Sequence, residues 1–171
     1  MRLLSSLPAF TAFTACIVAA LHAPTALAAD ACSLLAQSEA AAVTGQPIVE
    51  VTPGGPQRDE DSGGQLSYCT YRAAASAVIV SVVEFASGDE ARKQLSKSVA
   101  QERADAHAAR MREEPGLGEK SFYGASAKGA SFLFVQGNKV IGVGVGGANA
   151  SDSPGLKESL RAAAKAVASK A

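Results

Sequence analysis

Hydrophobic positions along this chain follow three patterns: one long apolar stretch, several alternating stretches, and two stripes recurring every three to four residues. The long stretch extends from Leu3 to Ala28 behind Arg2. Stripes with helical spacing occur at Ala91, Leu95 and Val99, and at Leu156, Leu160, Ala163, Ala164 and Val167. Ser87 is placed to cap the first, with Asp89 and Glu90 in its opening turn, and Ser153-Pro154 opens the second, which runs to about Ser169. A shorter helical segment is expected over 32–45, with Leu34 and Leu35 as its apolar patch, Ser38 as a cap for the turn begun by Glu39, and Gly45 as the stop.

The alternating stretches predict six strands. Pro47 to Thr52 is entered at a proline and so belongs near a sheet edge. Pro53 to Gly64, with two prolines, four glycines and Asp59-Glu60-Asp61, has the composition of a loop. Gln65 to Ala73 places Leu66, Tyr68 and Thr70 on one face and Ser67, Cys69 and Tyr71 on the other. Ala77 to Phe85 is apolar on both faces, which predicts cover on both. After the Pro115–Gly118 turn, strands are expected at Glu119–Tyr123, Ala130–Gln136 and Lys139–Val145, with Gly137-Asn138 as a hairpin turn. Residues 102–114 are charge-rich, either a solvated helical extension or a connection. The predicted order αβββαβββα implies an α+β domain whose largely antiparallel six-stranded sheet is sandwiched by helices. The two βββα halves do not match well enough in residues to form an internal repeat.

The apolar opening changes the picture because it ends in Ala26-Leu27-Ala28, a small-x-small signal-peptidase pattern that places the cut between Ala28 and Ala29. Pro8, His22 and Pro24 interrupt the run and count against a retained anchor, although its length would span a bilayer. A lipoprotein signal would put Cys16 at the new terminus behind Phe13-Thr14-Ala15, with apolar residues rather than a polar tether following it. Residues 1–28 are thus expected to be a signal peptide and 29–171 a single α+β domain, large enough to bury a real core. Its location would be periplasmic or secreted, with no stable membrane insertion once the leader is removed. The remaining chain has nearly equal numbers of acidic and basic residues and no basic block, which argues against nucleic acid as a partner.

Loss of Cys16 with the leader leaves Cys32 and Cys69 in an oxidising compartment, where they are expected to form a disulfide worth about 3–4 kcal/mol in the chain-entropy model. Buried free thiols are the alternative; a metal site is poorly served by two cysteines with no histidine near them. Such a bridge would hold the first helix on the Ser67–Cys69–Tyr71 face of the sheet.

Cys32-Ser33-Leu34-Leu35, Gly45-Gln46-Pro47, Cys69-Thr70-Tyr71 and Gly116-Leu117-Gly118 together resemble a group of small bacterial secreted proteins and lipoproteins of unknown function. The resemblance spans most of the chain after the leader. It implies a PsbP-like fold, an antiparallel sheet between helices that is usually non-catalytic, and it supplies no functional residues. The chain departs from the pattern at Ala36, where a capping Thr is expected, and at Ser121, where Ala often follows the turn.

Candidate chemistry is sparse. His107 stands in the charge-rich stretch with no nucleophile motif to serve, so it reads as a solvated histidine. Asp59, Glu60 and Asp61 could meet a hard cation but lack the spaced oxygen ligands of a calcium loop, and a solvated loop is favoured. Gly142, Gly144 and Gly146 share one strand face opposite Ile141, Val143 and Val145. That bare lane predicts close packing of the Ala-rich final helix, with a shallow ligand groove as the alternative. Asn149-Ala150-Ser151 has the form of a glycosylation acceptor. No cofactor and no catalytic or metal site is expected. The expected function is an exported accessory domain that binds a protein or small ligand of the cell envelope without chemistry. Asp59, Glu60, Asp61, Gly142 and Gly144 are its candidate surface, and an inhibitor or immunity protein acting through an exposed loop is the alternative.

Overall fold

The computed structural model describes residues 30–104, 111–147 and 153–171. Ala28, Ala29, Cys16, His107 and Asn149-Ala150-Ser151 lie outside them. The chain forms α1 (Ala31–Leu34), α2 (Gln37–Thr44), β1 (Glu50–Arg58), β2 (Gln65–Arg72), β3 (Ser76–Glu84), α3 (Gly88–Ala104), β4 (Arg112–Glu113), β5 (Lys120–Ser126), β6 (Gly129–Gln136), β7 (Lys139–Gly147) and α4 (Pro154–Lys170). The strands make one sheet in the order β1-β2-β3-β7-β6-β5-β4, every neighbouring pair antiparallel. The architecture is the expected α+β with seven strands rather than six. The added strand is β4, a two-residue pairing of Arg112 with Tyr123 and Glu113 with Phe122, too short to leave an alternating signature.

Three local expectations need correction. The 53–64 stretch is not all loop, since β1 continues through Pro53 and Pro56 to Arg58. Both prolines are tolerated because β1 is an edge strand, where a missing amide donor costs no ladder bond on the open side. A bulge between Gly54 and Gln57, with Gly55 at φ +82°, absorbs the irregularity. The first helix is interrupted at Leu35-Ala36, whose backbone is extended. Its second part starts not on a Ser38 cap but on Glu39, whose carboxylate accepts the Ala36 amide at 2.7 Å. The glycine lane of β7 does not meet the final helix, because the two lie on opposite faces of the sheet.

One face of the sheet is sealed. Val78, Val80, Val82, Phe132, Phe134, Ile141 and Val143 pack there with Leu34, Leu35, Val43, Leu160 and Val167 of α1, α2 and α4. Cys32 and Cys69 form the disulfide, with Cα atoms 5.0 Å apart, and it binds α1 to this face as the alternation of β2 predicts. Beside it the Tyr71 hydroxyl donates to the carbonyls of Leu35, at 2.6 Å, and Cys32, at 3.1 Å.

The other face is covered only in part. The stripe Ala91, Leu95 and Val99 of α3 buries itself against Phe85, Phe122, Val135 and Met111, over β6 and β7. Ser87 caps this helix as expected, its hydroxyl accepting from the Glu90 amide at 3.3 Å. Over β3 the cover runs out, and Ile79 is left 46% exposed on a strand whose sequence predicted burial on both sides. The final helix lies against Ile141, Val143 and Val145, so it does not touch the glycine lane, which faces the α3 side. The alternation of β7 was legible, but which of its two faces takes α4 is a long-range matter that local spacing does not encode.

Candidate functional site

Cross-strand register places small residues side by side on the half-open face. Thr52, Thr70, Ile79, Gly144 and Ser131 form one row across β1, β2, β3, β7 and β6. The next row toward α3 is Gly54, Tyr68, Ser81, Gly142 and Leu133. Beyond the C-terminal end of α3, Gly144, Gly146 and Ser131 floor a groove of about 380 Å³, with Ile79, Glu102 and Lys128 among its walls. A Cβ at Gly144 would meet its nearest neighbours, Ser131 and the Ala130 carbonyl, at 3.4 and 3.5 Å, ordinary contact distances. At Gly142 it would approach Ser81 Oγ at 2.6 Å and Leu133 Cδ2 at 3.2 Å. Close packing therefore explains Gly142 but not Gly144.

A larger concavity, about 890 Å³, lies along the flank of α3 where the helix faces the β1–β2 connection. Its polar lining includes Arg58, Lys93 and Lys97, the carboxylates of Asp61, Glu84 and Glu90, and the amides of Gln65 and Gln94. Glu90, Lys93, Gln94 and Lys97 stand at i, i+3, i+4 and i+7, one side of α3 next to its buried stripe. None of the three cations lies within 4 Å of a carboxylate among the described residues. Glu84 accepts one bond from Asn138 Nδ2 at 3.3 Å, which ties the β6–β7 turn to β3.

Of the acidic loop residues, only Asp61 reaches this concavity. Asp59 works within the loop instead. Its carboxylate accepts the Ser62 hydroxyl, its carbonyl accepts the Gly63 amide at 2.7 Å, and its amide donates to Gly64 at 2.8 Å. Glu60 is exposed at the tip. Among the described residues no three His, Cys, Asp or Glu side chains gather around a common point that could hold a cation. Nor is any described helix long and apolar enough to cross a membrane.

A third concavity, about 490 Å³ near the start of α4, shows the opposite electrostatic state. There the Glu114 carboxylate accepts from Lys157 at 3.0 Å and from Arg161. These donors hold its carboxyl below the usual range. Lys157 also lies 4.9 Å from the centre of the Tyr123 ring, and Arg161 5.4 Å from that of Phe132. Glu114, Lys157 and Arg161 are thus engaged with one another and with aromatic faces, whereas Arg58, Lys93 and Lys97 along α3 make no ion pair among the described residues.

The candidate surface read from sequence is thus brought together only in part: Asp61 joins the larger concavity, Gly144 floors the smaller groove, and Gly142 is a packing residue. Sequence reasoning missed Arg58, Lys93, Gln94 and Lys97. The signal available was the polar i, i+3, i+4, i+7 set beside the stripe of α3, which points to a helix flank without saying what faces it.

Among the described residues these features define a small α+β domain with one antiparallel sheet, one disulfide and one half-open face. No family model and no curated protein matches the chain. Among solved structures, the extracellular domain of PknH from Mycobacterium tuberculosis is similar in fold, with a TM-score of 0.56 at 15% sequence identity. The match covers 79% of this chain and 93% of that one.

Proposed function

We propose that this chain is an exported accessory domain that binds a small ligand or partner protein of the cell envelope through the α3 side of its sheet, without performing chemistry on it. The observation that carries the reading is the contrast between the two faces. One is sealed by three helices and a disulfide, while the other keeps a large concavity whose charged side chains make no ion pairs among themselves. Export is supported by the leader pattern, by the disulfide, and by likeness in fold to a domain described as extracellular. The motifs that resemble small secreted proteins and lipoproteins of PsbP-like fold add to the same reading.

The test is affinity capture from native envelope extract with the oxidised domain, paired with a turnover panel of ester, peptide, glycan and phosphate substrates. Capture that is lost when Lys93 and Lys97 are both replaced by Glu supports the reading. Turnover that disappears in His107→Ala overturns the non-catalytic part. A single tight protein partner, released when the loop 59–64 is shortened, would instead favour an inhibitor.

A further inference from the structure

We propose that the concavity between α3 and the β1–β2 connection binds an uncharged oligosaccharide. The inference rests on the binding reading above and names the class of ligand. The concavity holds unspent hydrogen-bonding capacity. Arg58, Lys93 and Lys97 offer donors, Asp61, Glu84 and Glu90 offer acceptors, and Gln65 and Gln94 offer both. In the concavity near α4, by contrast, Glu114 is already satisfied by Lys157 and Arg161. Along α3 the two signs share one wall without pairing.

That lining selects by charge. An anion would face three carboxylates and a cation three ammonium or guanidinium groups, and desolvating either beside a like charge is costly. A sugar hydroxyl donates and accepts at once, so it can meet Arg58 and Asp61 in the same site, each through a charge-assisted bond. Phe85 and Ala86 are the apolar residues of the wall, and the rest of its apolar surface comes from the stems of long polar side chains. Phe85 is only 8% exposed, so the wall presents no large hydrophobic side chain for a peptide to bury against. A volume of about 890 Å³ is at the upper end of small-molecule sites, which suits an extended ligand of a few rings.

The experiment titrates the oxidised domain, by calorimetry or nitrogen–proton correlation spectra, with chitotetraose, maltotetraose and xylotetraose, and with tetragalacturonate as a charged control. The expected result is saturable binding of at least one neutral sugar, weaker binding of tetragalacturonate, and affinity that hardly changes with added salt. Gln94→Ala and Lys97→Ala, both on the solvent side of α3, should each weaken binding about tenfold. Glu114→Gln, in the other concavity, should leave affinity unchanged. Absence of saturable binding to all three neutral sugars overturns the inference. So does affinity that collapses with salt, or affinity unaltered in both α3 variants. If envelope capture through α3 persists while no sugar binds, the ligand class falls and the binding function stands. If a sugar binds and is cleaved, the class stands and the non-catalytic reading falls.

Discussion

The hydroxyl of Tyr71, on β2, donates to the backbone carbonyl of Leu35 at 2.6 Å, across a sequence separation of 36 residues. Leu35 ends α1, so its carbonyl has no partner within the helix. The same hydroxyl reaches the carbonyl of Cys32, the residue held through the disulfide by Cys69, two positions before Tyr71. Sulfur and phenol therefore anchor the same short helix from adjacent inward positions of one strand.

Tyr71→Phe should destabilise the domain by about 1–3 kcal/mol, because a buried carbonyl loses its donor while the ring is kept. Urea denaturation at neutral pH measures this. Burial, reinforced by the carboxylates of Asp30 and Glu39, raises the phenol above its ordinary value of 10.0. A group whose folded pKa is raised contributes stability that is complete below its unfolded value and lost as pH rises through the folded one. The advantage of the native protein over Tyr71→Phe should accordingly shrink above about pH 10.

Replacing Cys32 and Cys69 together by Ala should cost about 3–4 kcal/mol, the denatured-state entropy released when a loop of this size is opened. The oxidised domain, unfolded in denaturant without reductant, should show no free thiol from either residue. A full equivalent of thiol at both positions would contradict the bridge.

The ion pairs of Glu114 fasten the residues before β5 to α4, and Ser121 Oγ donates to the Glu114 carbonyl. Because Lys157 and Arg161 lower the carboxyl below 4.5, its contribution is present above that value and lost as pH falls through the lower folded pKa. Glu114→Gln should cost about 1 kcal/mol or less at neutral pH. The two proteins should converge in stability in acid, below about pH 4.

Gly144→Ala should be neutral or stabilising by up to about 1 kcal/mol, since the added methyl finds ordinary contacts and the unfolded chain loses freedom. Gly142→Ala should be destabilising relative to it, because Ser81 and Leu133 must move. Thermal melts of the two variants side by side give the comparison. The pair also bears on function: if Gly144→Ala stabilises the fold yet weakens ligand binding, the bare floor of the smaller groove serves recognition.

What could be read in advance was what neighbours in sequence decide. The stripe Ala91–Leu95–Val99, the caps Ser87 and Ser153, the Gly137-Asn138 hairpin and the inward set Ser67–Cys69–Tyr71 all express short-range periodicity or turn chemistry. The errors arose where tertiary neighbours decide. Pro53 and Pro56 lie within a strand because nothing pairs with its outer side. Ile79 is half exposed because α3 sits over β6 and β7 rather than β3. The glycine lane looks away from α4, although both are adjacent in sequence and rich in small residues. The candidate site suffered most, since its wall joins residues 58–65 to residues 84–97, and only the three-dimensional arrangement brings Arg58 and Asp61 opposite Lys93 and Gln94.

The borders of the sheet have a consequence for how the protein tolerates crowding. One is β1, broken by two prolines and a bulge, and the other is β4, two residues long. Among the described residues neither rim presents a long straight run of unsatisfied amides, so neither is a good template for a neighbour's strand. Side-by-side addition of a second copy's strand is therefore disfavoured at both rims by the shape of the strands themselves.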